Sequence, residues 1–523
     1  MSLSSLSFQD TTPCLLSTAV ARWPDACAID DGPTRLTYAG LDELRWRATR
    51  ALIALGIRPG DRVGIWAPNI WEWIVAALAI HSAGAVLVPI NTRMRGYEAA
   101  DILDDSGARL LFCIGDFLGS YYPDLLAAHK PATLERVIVL RAREAGDDGW
   151  ERFLEQGDRI LQQEAQTRAE AVQPDDLSDL MFTSGTTGRP KGVMTAHGQN
   201  LRAIASWGNA VGLTAGERYL IVGPFFHAFG YKAGWLAALM HGVTIVPQQV
   251  FDAEAVLARI AGERINILPG PPTLYHSILA HPTLAEFDLS SLRAAVTGAA
   301  SIPPVLIERM RRELGFKTVL TGYGLTESCG FATLCEASDD ADTIATTCGR
   351  AMPGIEVRCI DGEGRTAAPN VPGEVAIRGY NIMRGYFNDE AGTREAVDAE
   401  GWLRTGDVGT LDERGYLRIT DRLKDMYISG GFNCYPAEIE RLLSAHPAIA
   451  QVAVVGMPDE RMGEVGKAYV VLRGDAALTS AELVAWARQR MANYKAPCAV
   501  EFLRELPMNA AGKVLKHQLR RAV

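Results

Sequence analysis

The chain has 523 residues and a mass of 56.7 kDa, which at roughly 150 residues per domain predicts about two to four domains. Its composition, 48% hydrophobic and 22% charged, is that of an ordinary globular protein. A formal net charge of −10 argues against binding of nucleic acid or an anionic membrane through a broad basic face, so a local cluster should hold any anionic ligand.

The start of the chain and its cysteines indicate a protein of a reducing compartment. MSLSSLSFQDTTP (1–13) lacks the basic residues and long apolar run of a secretory signal. The nine cysteines contain no CxxC pair, so neither a zinc site nor a redox dithiol is predicted. The most apolar segment, 74–90, is interrupted by polar residues and predicts a buried helix followed by a buried strand, since a membrane span needs about 20 apolar residues. We expect a cytoplasmic protein without integral membrane association.

Short apolar runs alternate with helical segments over the first two thirds of the chain. LDELRWRATRALIALG (41–56) is typical of the helical segments, with apolar residues at helical spacing and a closing Gly. Continuous apolar strands between helices are typical of sheets covered on both faces, so the predicted fold class is α/β, with a large layered N-terminal domain. The predicted strands lie at 62–68, 85–91, 110–116, 219–225, 243–248, 265–270 and 294–300.

The pattern changes near residue 350, where DG and PG turn signals separate short strands and predict a β-rich subdomain over about 350–421. Residues 422–523 then suffice for a small mobile α+β domain. TDRLKD (420–425) and SGGFN (429–433) lie at the junction, where a hinge would be needed. We therefore predict an N-terminal domain of 1–421 and a C-terminal domain of 422–523. The C-terminal domain has predicted helices at 437–446 and 480–491 and strands at 450–456 and 466–473.

A loop rich in glycine and hydroxyl residues, LMFTSGTTGRPKGVM (180–194), follows a strand-like run. Backbone N–H groups and hydroxyls in such a loop converge on anionic oxygens, and Lys191 adds a point charge, with Arg189 as a second candidate. A surface turn has the same composition. The GxxxxGK[ST] pattern of P-loop nucleotidases is absent, because Gly192 follows the lysine. The loop alone leaves a phosphate site and a plain turn open.

Four later motifs accompany this loop. Taken alone, LTE (325–327) is typical of a helix N-cap and TGD (405–407) is typical of a turn. A lysine near the end of a chain, such as Lys513, is ordinarily a surface charge. Together with TSGTTGRPKG (183–192) they follow the order and spacing of the adenylate-forming superfamily, which the chain resembles over nearly its whole length. That superfamily includes acyl-CoA synthetases, peptide-synthetase adenylation domains and firefly-type luciferases. The later motifs are YGLTES (323–328), TGD (405–407), DRLKDMYISGGFN (421–433) and NAAGKV (509–514).

The resemblance implies attack of a carboxylate on the α-phosphate of ATP, which releases pyrophosphate and depends on positioning and charge neutralisation. It implies that Tyr323 stacks on adenine, that Thr326 contacts the α-phosphate and that Glu327 binds Mg²⁺, for which a carboxylate is a suitable hard ligand. Asp407 would accept hydrogen bonds from the ribose, with Arg422 as a further donor. The other implied nucleotide-binding residues are Thr183, Ser184, Gly185, Thr186, Thr187, Gly188, Lys191, Gly298, Ala299, Ala300 and Gly324.

The resemblance also implies a catalytic lysine and an acyl pocket. Lys513 would enter the site to neutralise charge between the carboxylate and the α-phosphate, although Met508 stands where the family often has a basic residue. PFFHAFGYKAGW (224–235) resembles the motif that borders the acyl pocket, with His227 gating access. Core packing remains an alternative for its phenylalanines, and Lys232 is either a pocket charge or a surface residue. The predicted pocket residues are Phe226, His227, Phe229, Ala233, Gly298 and Gly322.

Thioester formation is the implied second step. In the acyl-CoA synthetases the small domain rotates after adenylation, and ISGGFN (428–433) resembles the loop that lines a tunnel for the pantetheine thiol. Gly430 and Gly431 would lie in that loop, where a missing Cβ suits a thin chain passing close to backbone, and Lys424 would mark the hinge. The implied substrates and cofactor are ATP, coenzyme A and Mg²⁺. The oligomeric state stays open, with a homodimer common among such enzymes.

Four functions other than acyl-CoA synthesis are alternatives for a chain with these motifs. Amino-acid activation is disfavoured, because no carboxylate near FFHAFG could pair with a substrate ammonium. A catalytically dead nucleotide-binding regulator would be expected to lack Glu327 or Lys513. Transfer of the acyl group to a carrier protein stays open, although no insertion impeding domain rotation is evident. A luciferase-like oxygenase shares every motif and is disfavoured only because most members of the superfamily are not luciferases.

The identity of the acid is less constrained. YISGGFN has Ile428 and Asn433 where the IKYKGFQ of many aryl-CoA ligases has a lysine and a glutamine, which favours fatty or alicyclic acids and leaves an aryl-CoA ligase as the alternative. FFHAFGYKAG is similar to the sequence of actinobacterial ligases for fused-ring propanoates formed in steroid degradation. Phe229, Tyr231 and Trp235 offer apolar area with few polar partners, so we expect a bulky apolar acyl group.

Overall fold

A computed structural model of the protein describes residues 11–143, 149–183, 190–298, 302–422, 425–429, 432–459, 462–474, 476–491, 493–509 and 513–521. Within these ranges, no helix is both long and apolar enough to cross a membrane. The strands are β1 Cys27–Asp31, β2 Thr34–Thr37, β3 Arg62–Trp66, β4 Val86–Pro89, β5 Leu110–Ile114, β6 Asp116–Phe117, β7 Ser120–Tyr121, β8 Arg136–Leu140, β9 Leu177–Thr183, β10 Lys191–Ala196, β11 Arg218–Ile221, β12 Thr244–Pro247, β13 Ala294–Gly298, β14 Thr318–Tyr323, β15 Thr333–Leu334, β16 Arg350–Ala351, β17 Ile355–Ile360, β18 Gly373–Gly379, β19 Gly385–Tyr386, β20 Leu403–Leu411, β21 Leu417–Arg422, β22 Tyr427–Ser429, β23 Phe432–Cys434, β24 Ile449–Asp459, β25 Gly463–Leu472 and β26 Ala499–Phe502.

The helices connect and cover these strands. The α-helices are α1 Thr12–Arg22, α2 Tyr38–Ala54, α3 Trp71–Ser82, α4 Gly96–Ser106, α5 Tyr122–Ala127, α6 Trp150–Gln156, α7 Gln162–Glu170, α8 His197–Val211, α9 Ala228–Gly230, α10 Ala237–His241, α11 Ala253–Glu263, α12 Pro272–Leu279, α13 Pro304–Glu313, α14 Ala341–Thr346, α15 Glu390–Ala396, α16 Pro436–Ser444, α17 Ser480–Arg488 and α18 Lys516–Arg521. Short 3₁₀ turns lie at Gly157–Arg159, Leu284–Glu286 and Thr326–Ser328, and a π-helical turn spans Tyr231–Leu236.

The largest sheet runs in the order β19-β10-β9-β4-β3-β5-β8. β9, β4, β3, β5 and β8 are parallel, whereas β10 returns antiparallel to β9. Every residue of α3 after Trp71 is buried, and so is all of β4, which confirms the helix and strand predicted over 74–90. A helix that is apolar on all sides is stable only in such an interior. The predicted α/β class is thereby confirmed.

A second group of strands runs β11-β12-β1-β2 and β13-β14-β15-β16. The predicted strand at 265–270 lies between β11 and β13 but contributes only single bridges through Ile267, to Tyr219 and to Ala294. Leu268 and Gly270 still donate to carbonyls of β13, at 3.0 Å each. Pro269 between them has no N–H, which interrupts the ladder.

Residues 355–422 form the antiparallel sheet β17-β18-β20-β21, and its apolar residues join the main core. The last hundred residues form another sheet, β23-β22-β25-β24, with β26 parallel to β25. Their buried side chains form clusters separate from the main core. A small α+β C-terminal domain is thereby confirmed, while its boundary between 421 and 422 stays a prediction.

Three histidines lie in the interior of the α/β region. His81 of α3 is fully buried and its Nε2 lies 3.1 Å from the carbonyl oxygen of Ser178. Burial lowers the pKa of His81 and of His241 to about 4, and it lowers the pKa of His197 as well. These imidazoles therefore stay neutral in the folded protein at neutral pH.

These lowered pKa values predict that the free energy of unfolding decreases as the pH falls below neutral. Each histidine regains its ordinary pKa near 6.5 on unfolding, so the unfolded chain binds more protons between about pH 4 and 6.5. Stability from this source is fully present above pH 6.5 and is lost, at up to about 1.4 kcal/mol per pH unit for each group, as the pH falls. Thermal unfolding from pH 7 to 5 checks this. His81→Gln should make the thermal midpoint less dependent on pH, whereas a substitution of the exposed His129 should not. An equal pH dependence in the two variants would contradict the prediction.

Candidate active site

The hairpin of β9 and β10 frames the glycine-rich loop. Thr183 and Lys191 are direct partners at the end of the hairpin next to the loop. The Thr183 hydroxyl donates to the Lys191 carbonyl oxygen at 3.4 Å. Two of the predicted phosphate-binding residues are therefore adjacent across the strands. The loop residues between them, with the predicted Ser184, Gly185, Thr186, Thr187 and Gly188, lie outside the described residues.

Tyr386 joins the phosphate hairpin to the predicted metal ligand. The Lys191 ammonium lies 4.6 Å from the centroid of the Tyr386 ring and 3.6 Å from Asp389 Oδ2. The Tyr386 hydroxyl donates to Glu327 Oε1 at 3.1 Å. Burial and the charge of Glu327 raise the pKa of Tyr386, so this hydroxyl remains a donor at neutral pH. Sequence reasoning missed Tyr386 and Asp389, for which the available signal was the aromatic and acidic segment RGYFND (384–389).

Glu327 lies in a short 3₁₀ turn directly after β14. The Met383 N–H donates to its carbonyl oxygen at 2.8 Å, and the Leu325 N–H donates to Ser328 Oγ at 3.0 Å, so both ends of the turn are held. Leu325 occupies the N-cap position and Thr326 is the first residue of the turn. The isolated interpretation of LTE, a threonine N-cap, is thus wrong.

The carboxylate of Glu327 suits Mg²⁺. It is half-buried and is oriented by one hydrogen bond, and carboxylate oxygen is the ligand type that Mg²⁺ prefers. In the described part of the chain, no group of three or more His, Cys, Asp or Glu side chains could hold a metal by itself. Mg²⁺ characteristically retains several water molecules and shares its remaining positions between one or two carboxylates and substrate phosphates, which fits this arrangement.

Tyr323, at the carboxyl end of β14, and Asp407, in the middle of β20, form a second pair. The Tyr323 hydroxyl donates to Asp407 Oδ2 at 2.5 Å, and the Asp407 N–H donates to Thr405 Oγ1 at 3.1 Å. The carboxylate is nearly buried. Burial, with the nearby Asp407 charge, raises the pKa of Tyr323. The predicted adenine and ribose residues are therefore in direct contact, although they are far apart in the chain.

Close backbone approach explains three predicted glycines. Gly298 and Gly322 are register partners in β13 and β14, and a Cβ on Gly298 would lie 3.2 Å from the Gly322 carbonyl oxygen. A Cβ on Gly322 would meet the Thr333 carbonyl oxygen at 2.9 Å, and one on Gly324 would meet that of Gly330 at 2.3 Å. Ala299 and Ala300, and likewise Lys424, Gly430 and Gly431, lie outside the described residues. The side chain of Arg422 is also not described.

Asn69 anchors the loop that leads to the predicted acyl motif. Its Nδ2 donates to the carbonyl oxygens of Ile221 and Gly223 at 3.1 and 2.9 Å, and its Oδ1 accepts from the Phe225 N–H at 2.8 Å. Sequence reasoning missed Asn69, because no local pattern distinguishes it from an ordinary loop asparagine.

The aromatic residues of the acyl motif have different environments. Phe225 is fully buried and belongs to the main core, as the packing alternative allowed for one of them. Phe226 is 8% exposed, its ring centroid is 4.8 Å from that of His227, and Phe229 is 36% exposed. Ala233 is fully buried, and its carbonyl oxygen accepts from Tyr219 at 3.2 Å.

His227 and Lys513 lie close enough to influence each other. The pKa of His227 is lowered to about 4, mainly by burial and further by the charges of Lys513 and Arg93. The backbone of Lys513 is held by two hydrogen bonds: the Asn509 N–H donates to its carbonyl oxygen at 2.8 Å, and its own N–H donates to Asn509 Oδ1 at 2.9 Å. Met508, at the divergent position, is 42% exposed.

The helix after Lys513 contacts the rest of the C-terminal domain at three points. Lys516 Nζ lies 2.8 Å from Glu440 Oε1 of α16, and Arg520 lies 3.0 Å from Asp425 Oδ1 next to the predicted hinge. The carbonyl oxygen of Leu519 also accepts from Tyr469 at 2.8 Å. The position of Lys513 is thus coupled to that of the small domain through this helix.

Lys232 is neither a pocket charge nor a surface residue, the two alternatives left by the sequence. It is fully buried, and its Nζ lies 3.2 Å from Asp179 Oδ1, also fully buried. Sequence reasoning missed Asp179, because an isolated acid in an apolar strand gives no indication of its partner.

A testable consequence concerns the Tyr386 hydroxyl. Tyr386→Phe leaves the ring beside Lys191 and removes the donor to Glu327. A hydrogen bond to a charged group is worth about 1.5–3 kcal/mol, so we expect kcat to fall by about 10- to 100-fold and the Mg²⁺ requirement to rise. Steady-state rates over a Mg²⁺ titration check this. Tyr416→Phe, which removes a similar 2.7 Å bond to Asp339, should leave both unchanged; equal effects of the two changes would contradict it.

The chain is similar to known proteins over nearly its whole length. The family model described as AMP-binding enzyme matches residues 16–387, and that described as AMP-binding enzyme C-terminal domain matches 438–513. The chain is 51% identical over 512 residues to "3-[(3aS,4S,7aS)-7a-methyl-1,5-dioxo-octahydro-1H-inden-4-yl]propanoyl:CoA ligase" of Mycobacterium tuberculosis (strain ATCC 25618 / H37Rv), with 98% of each chain covered. It is 48% identical over 518 residues to the protein of that name in Rhodococcus jostii (strain RHA1), again with 98% of each covered. The crystal structure of the anthranilate CoA ligase AuaEII in complex with anthranoyl-AMP matches with a TM-score of 0.87 at 26% identity, covering 100% of this chain and 99% of that one.

Proposed function

The chain belongs to the family of AMP-binding enzymes, and on that premise we propose that it is an ATP-dependent acyl-CoA synthetase. It activates a carboxylic acid as acyl-AMP with release of pyrophosphate, and it then transfers the acyl group to coenzyme A. One observation carries the proposal: Lys191 of the phosphate hairpin and Glu327 of YGLTES meet on opposite parts of one tyrosine, Tyr386. A phosphate-binding cation and a hard oxygen ligand are the two groups that adenylation needs together.

For the acid, we infer a bulky alicyclic propanoate. Two relatives, at 51% and 48% identity, are named for a propanoyl group on a methylated dioxo-octahydroindenyl ring system, and the alignments span nearly the whole of each chain. The partly exposed ring of Phe229 offers an apolar surface of the kind such a group needs. His227 stays neutral near pH 7, so its imidazole does not add a charge next to the acyl group.

In the first half-reaction, a carboxylate oxygen attacks the α-phosphorus of ATP and the bond to the pyrophosphate oxygen breaks. We assign Lys191 and Thr183 to the phosphates and Asp407 to the ribose, with the Tyr323 ring against the adenine. Glu327 would hold Mg²⁺, which when bound supplies neutralisation of phosphate charge. Lys513 would neutralise the charge that develops between the acid and the α-phosphate. Such electrostatic stabilisation is usually the largest single contribution to catalysis.

In the second half-reaction, the thiol sulfur of coenzyme A attacks the acyl carbon and AMP leaves, with loss of the thiol proton. We assign this step to a rotated position of residues 422–523, with the hinge at Lys424 and Gly430 and Gly431 next to the pantetheine arm. Moving the domain removes Lys513 before the thiol arrives, so that the two steps do not compete for one space. A homodimer and a reducing compartment stay predictions.

The proposal is tested with a panel of aliphatic, aryl and fused-ring carboxylic acids. Pyrophosphate release and acyl-CoA mass are followed with and without coenzyme A. We expect acid-dependent pyrophosphate release and acyl-CoA formation, fastest with a fused-ring propanoate. Accumulation of acyl-AMP without thioester would indicate another acceptor, such as a carrier protein. A preference for aryl acids would contradict the inferred substrate.

A further inference from the structure

A buried, hydrogen-bonded ion pair joins the phosphate hairpin to the acyl motif. Asp179 Oδ1 lies 3.2 Å from Lys232 Nζ and accepts from the Thr195 hydroxyl at 2.7 Å. Its Oδ2 accepts from Ser178 Oγ and from Asn200 Nδ2, both at 2.6 Å. Lys232 also donates to Thr195 Oγ1 at 3.1 Å. The two charges and their partners are all buried, so their directions are set by protein atoms.

The pair connects the segments that hold the two substrates. Asp179 and Thr195 face each other in β9 and β10, the two strands of the phosphate hairpin. Lys232 lies in the π-helical turn at the end of the acyl motif, three residues after Phe229.

The turn that carries Lys232 is itself irregular. Residues Tyr231–Leu236 form a wide π-helical turn, and Gly234 within it has φ −84° and ψ −107°, outside the helical region. Such turns are uncommon and frequently occur at functional sites. The backbone before the turn is tightly placed as well, because a Cβ on Gly230 would meet the Gly223 carbonyl oxygen at 2.2 Å.

Stability alone is a weak explanation for this pair. A buried ion pair gains little over apolar residues of similar volume, because desolvation of both charges offsets their attraction, whereas loss of one partner is strongly destabilising. Its advantage is direction: charges and hydrogen bonds fix the separation and angle of two segments more closely than apolar contacts do. A displacement of about 1 Å between reacting groups is enough to slow a reaction about 100-fold.

We propose that Asp179 and Lys232 are positioning residues for adenylation. The pair aligns the hairpin that carries Lys191 with the segment that carries His227 and Phe229, and thereby aligns ATP with the acid. The proposal rests on the function proposed above and concerns its first half-reaction only. Coenzyme A, which enters after domain rotation, is outside the reach of the pair.

The test uses Lys232→Met, Asp179→Asn/Lys232→Met and Thr195→Val in the full-length enzyme. Each variant is characterised by its thermal midpoint, acid-dependent exchange of pyrophosphate into ATP, and conversion of supplied acyl-AMP to acyl-CoA. The double variant has no unpaired buried charge, so its midpoint should return to near that of the wild type. We expect its exchange to stay about 10- to 100-fold slow, with thioester formation and the KM for coenzyme A within about twofold of wild type. Thr195→Val keeps both charges and serves if Lys232→Met does not fold; it should slow exchange less than the double variant does.

Arg141→Met is the matched control, because Arg141 Nε lies 2.8 Å from the buried Glu72 in an ion pair not assigned to the active site. It should lower the thermal midpoint and leave both half-reactions unchanged. If Asp179→Asn/Lys232→Met exchanged pyrophosphate into ATP at the wild-type rate, the proposal would be overturned and the pair would be purely structural. Equal losses of rate in both half-reactions would lead to the same conclusion. A wild type that forms no acyl-CoA would contradict the proposed function instead, so the two failures are distinguishable.

Discussion

We expect Lys513→Ala to slow acid-dependent exchange of pyrophosphate into ATP by about 100- to 1,000-fold, the effect of removing one charge-stabilising donor from a preorganised site. Conversion of supplied acyl-AMP to acyl-CoA should remain within about twofold of wild type, because in the proposed rotation the lysine leaves the site before that step. The physical basis is the position of Lys513, whose charge helps to lower the pKa of His227 in the other domain. Isotope exchange and a single-turnover thioester assay measure the two steps separately.

Arg488→Ala is the control for this change. Arg488 is an exposed cation of the same small domain, on α17, and its removal alters net charge by the same amount. It should leave both half-reactions unchanged. Equal losses in adenylation and thioester formation with Lys513→Ala would mean that the lysine supports the domain and does not act in one step.

The second large effect is expected for Glu327→Gln. The substitution keeps the side-chain volume, and the amide oxygen can still accept from Tyr386, so the 3₁₀ turn should persist. It removes the negative charge that suits Mg²⁺. We expect adenylation to fall by about 100- to 1,000-fold, the scale for loss of one electrostatic element, and the Mg²⁺ concentration for half-maximal rate to rise.

A Mg²⁺ titration of the exchange rate in wild type and Glu327→Gln measures both quantities. Glu336→Gln, a change of an exposed carboxylate paired with Arg350, is the matched control and should have no effect. An unchanged Mg²⁺ dependence in Glu327→Gln would show that the cation is held elsewhere, and would remove the role assigned to YGLTES.

The fold class and the motif positions were accessible from sequence because each rests on local chemistry. The segment 74–90 is predominantly apolar, which a buried helix and a buried strand accommodate, and α3 and β4 have that environment. Where a local pattern allowed two structures, it did not decide between them. The run at 265–270 has strand composition, yet Pro269 reduces it to isolated bridges at Ile267.

The acyl motif shows the same limit for side chains. Phe225, Phe226 and Phe229 are chemically alike within five residues, and periodicity could not separate core from pocket. Their environments follow from Asn69, which binds the loop from a distant part of the chain. The glycines at 298 and 322 were predicted as pocket residues, but their close approach follows from the register of β13 with β14.

The residue types needed to bind phosphate, ribose and a hard cation could be predicted from their order along the chain, since those roles depend on functional groups within short motifs. Which of these groups touch was decided by folding: Tyr323 with Asp407, Glu327 with Tyr386, and Lys232 with Asp179. Lys232 shows the reason most clearly. A lone lysine is most stable in water, and it becomes buried only where another segment supplies a carboxylate and hydroxyls that offset its desolvation, which no local spacing encodes.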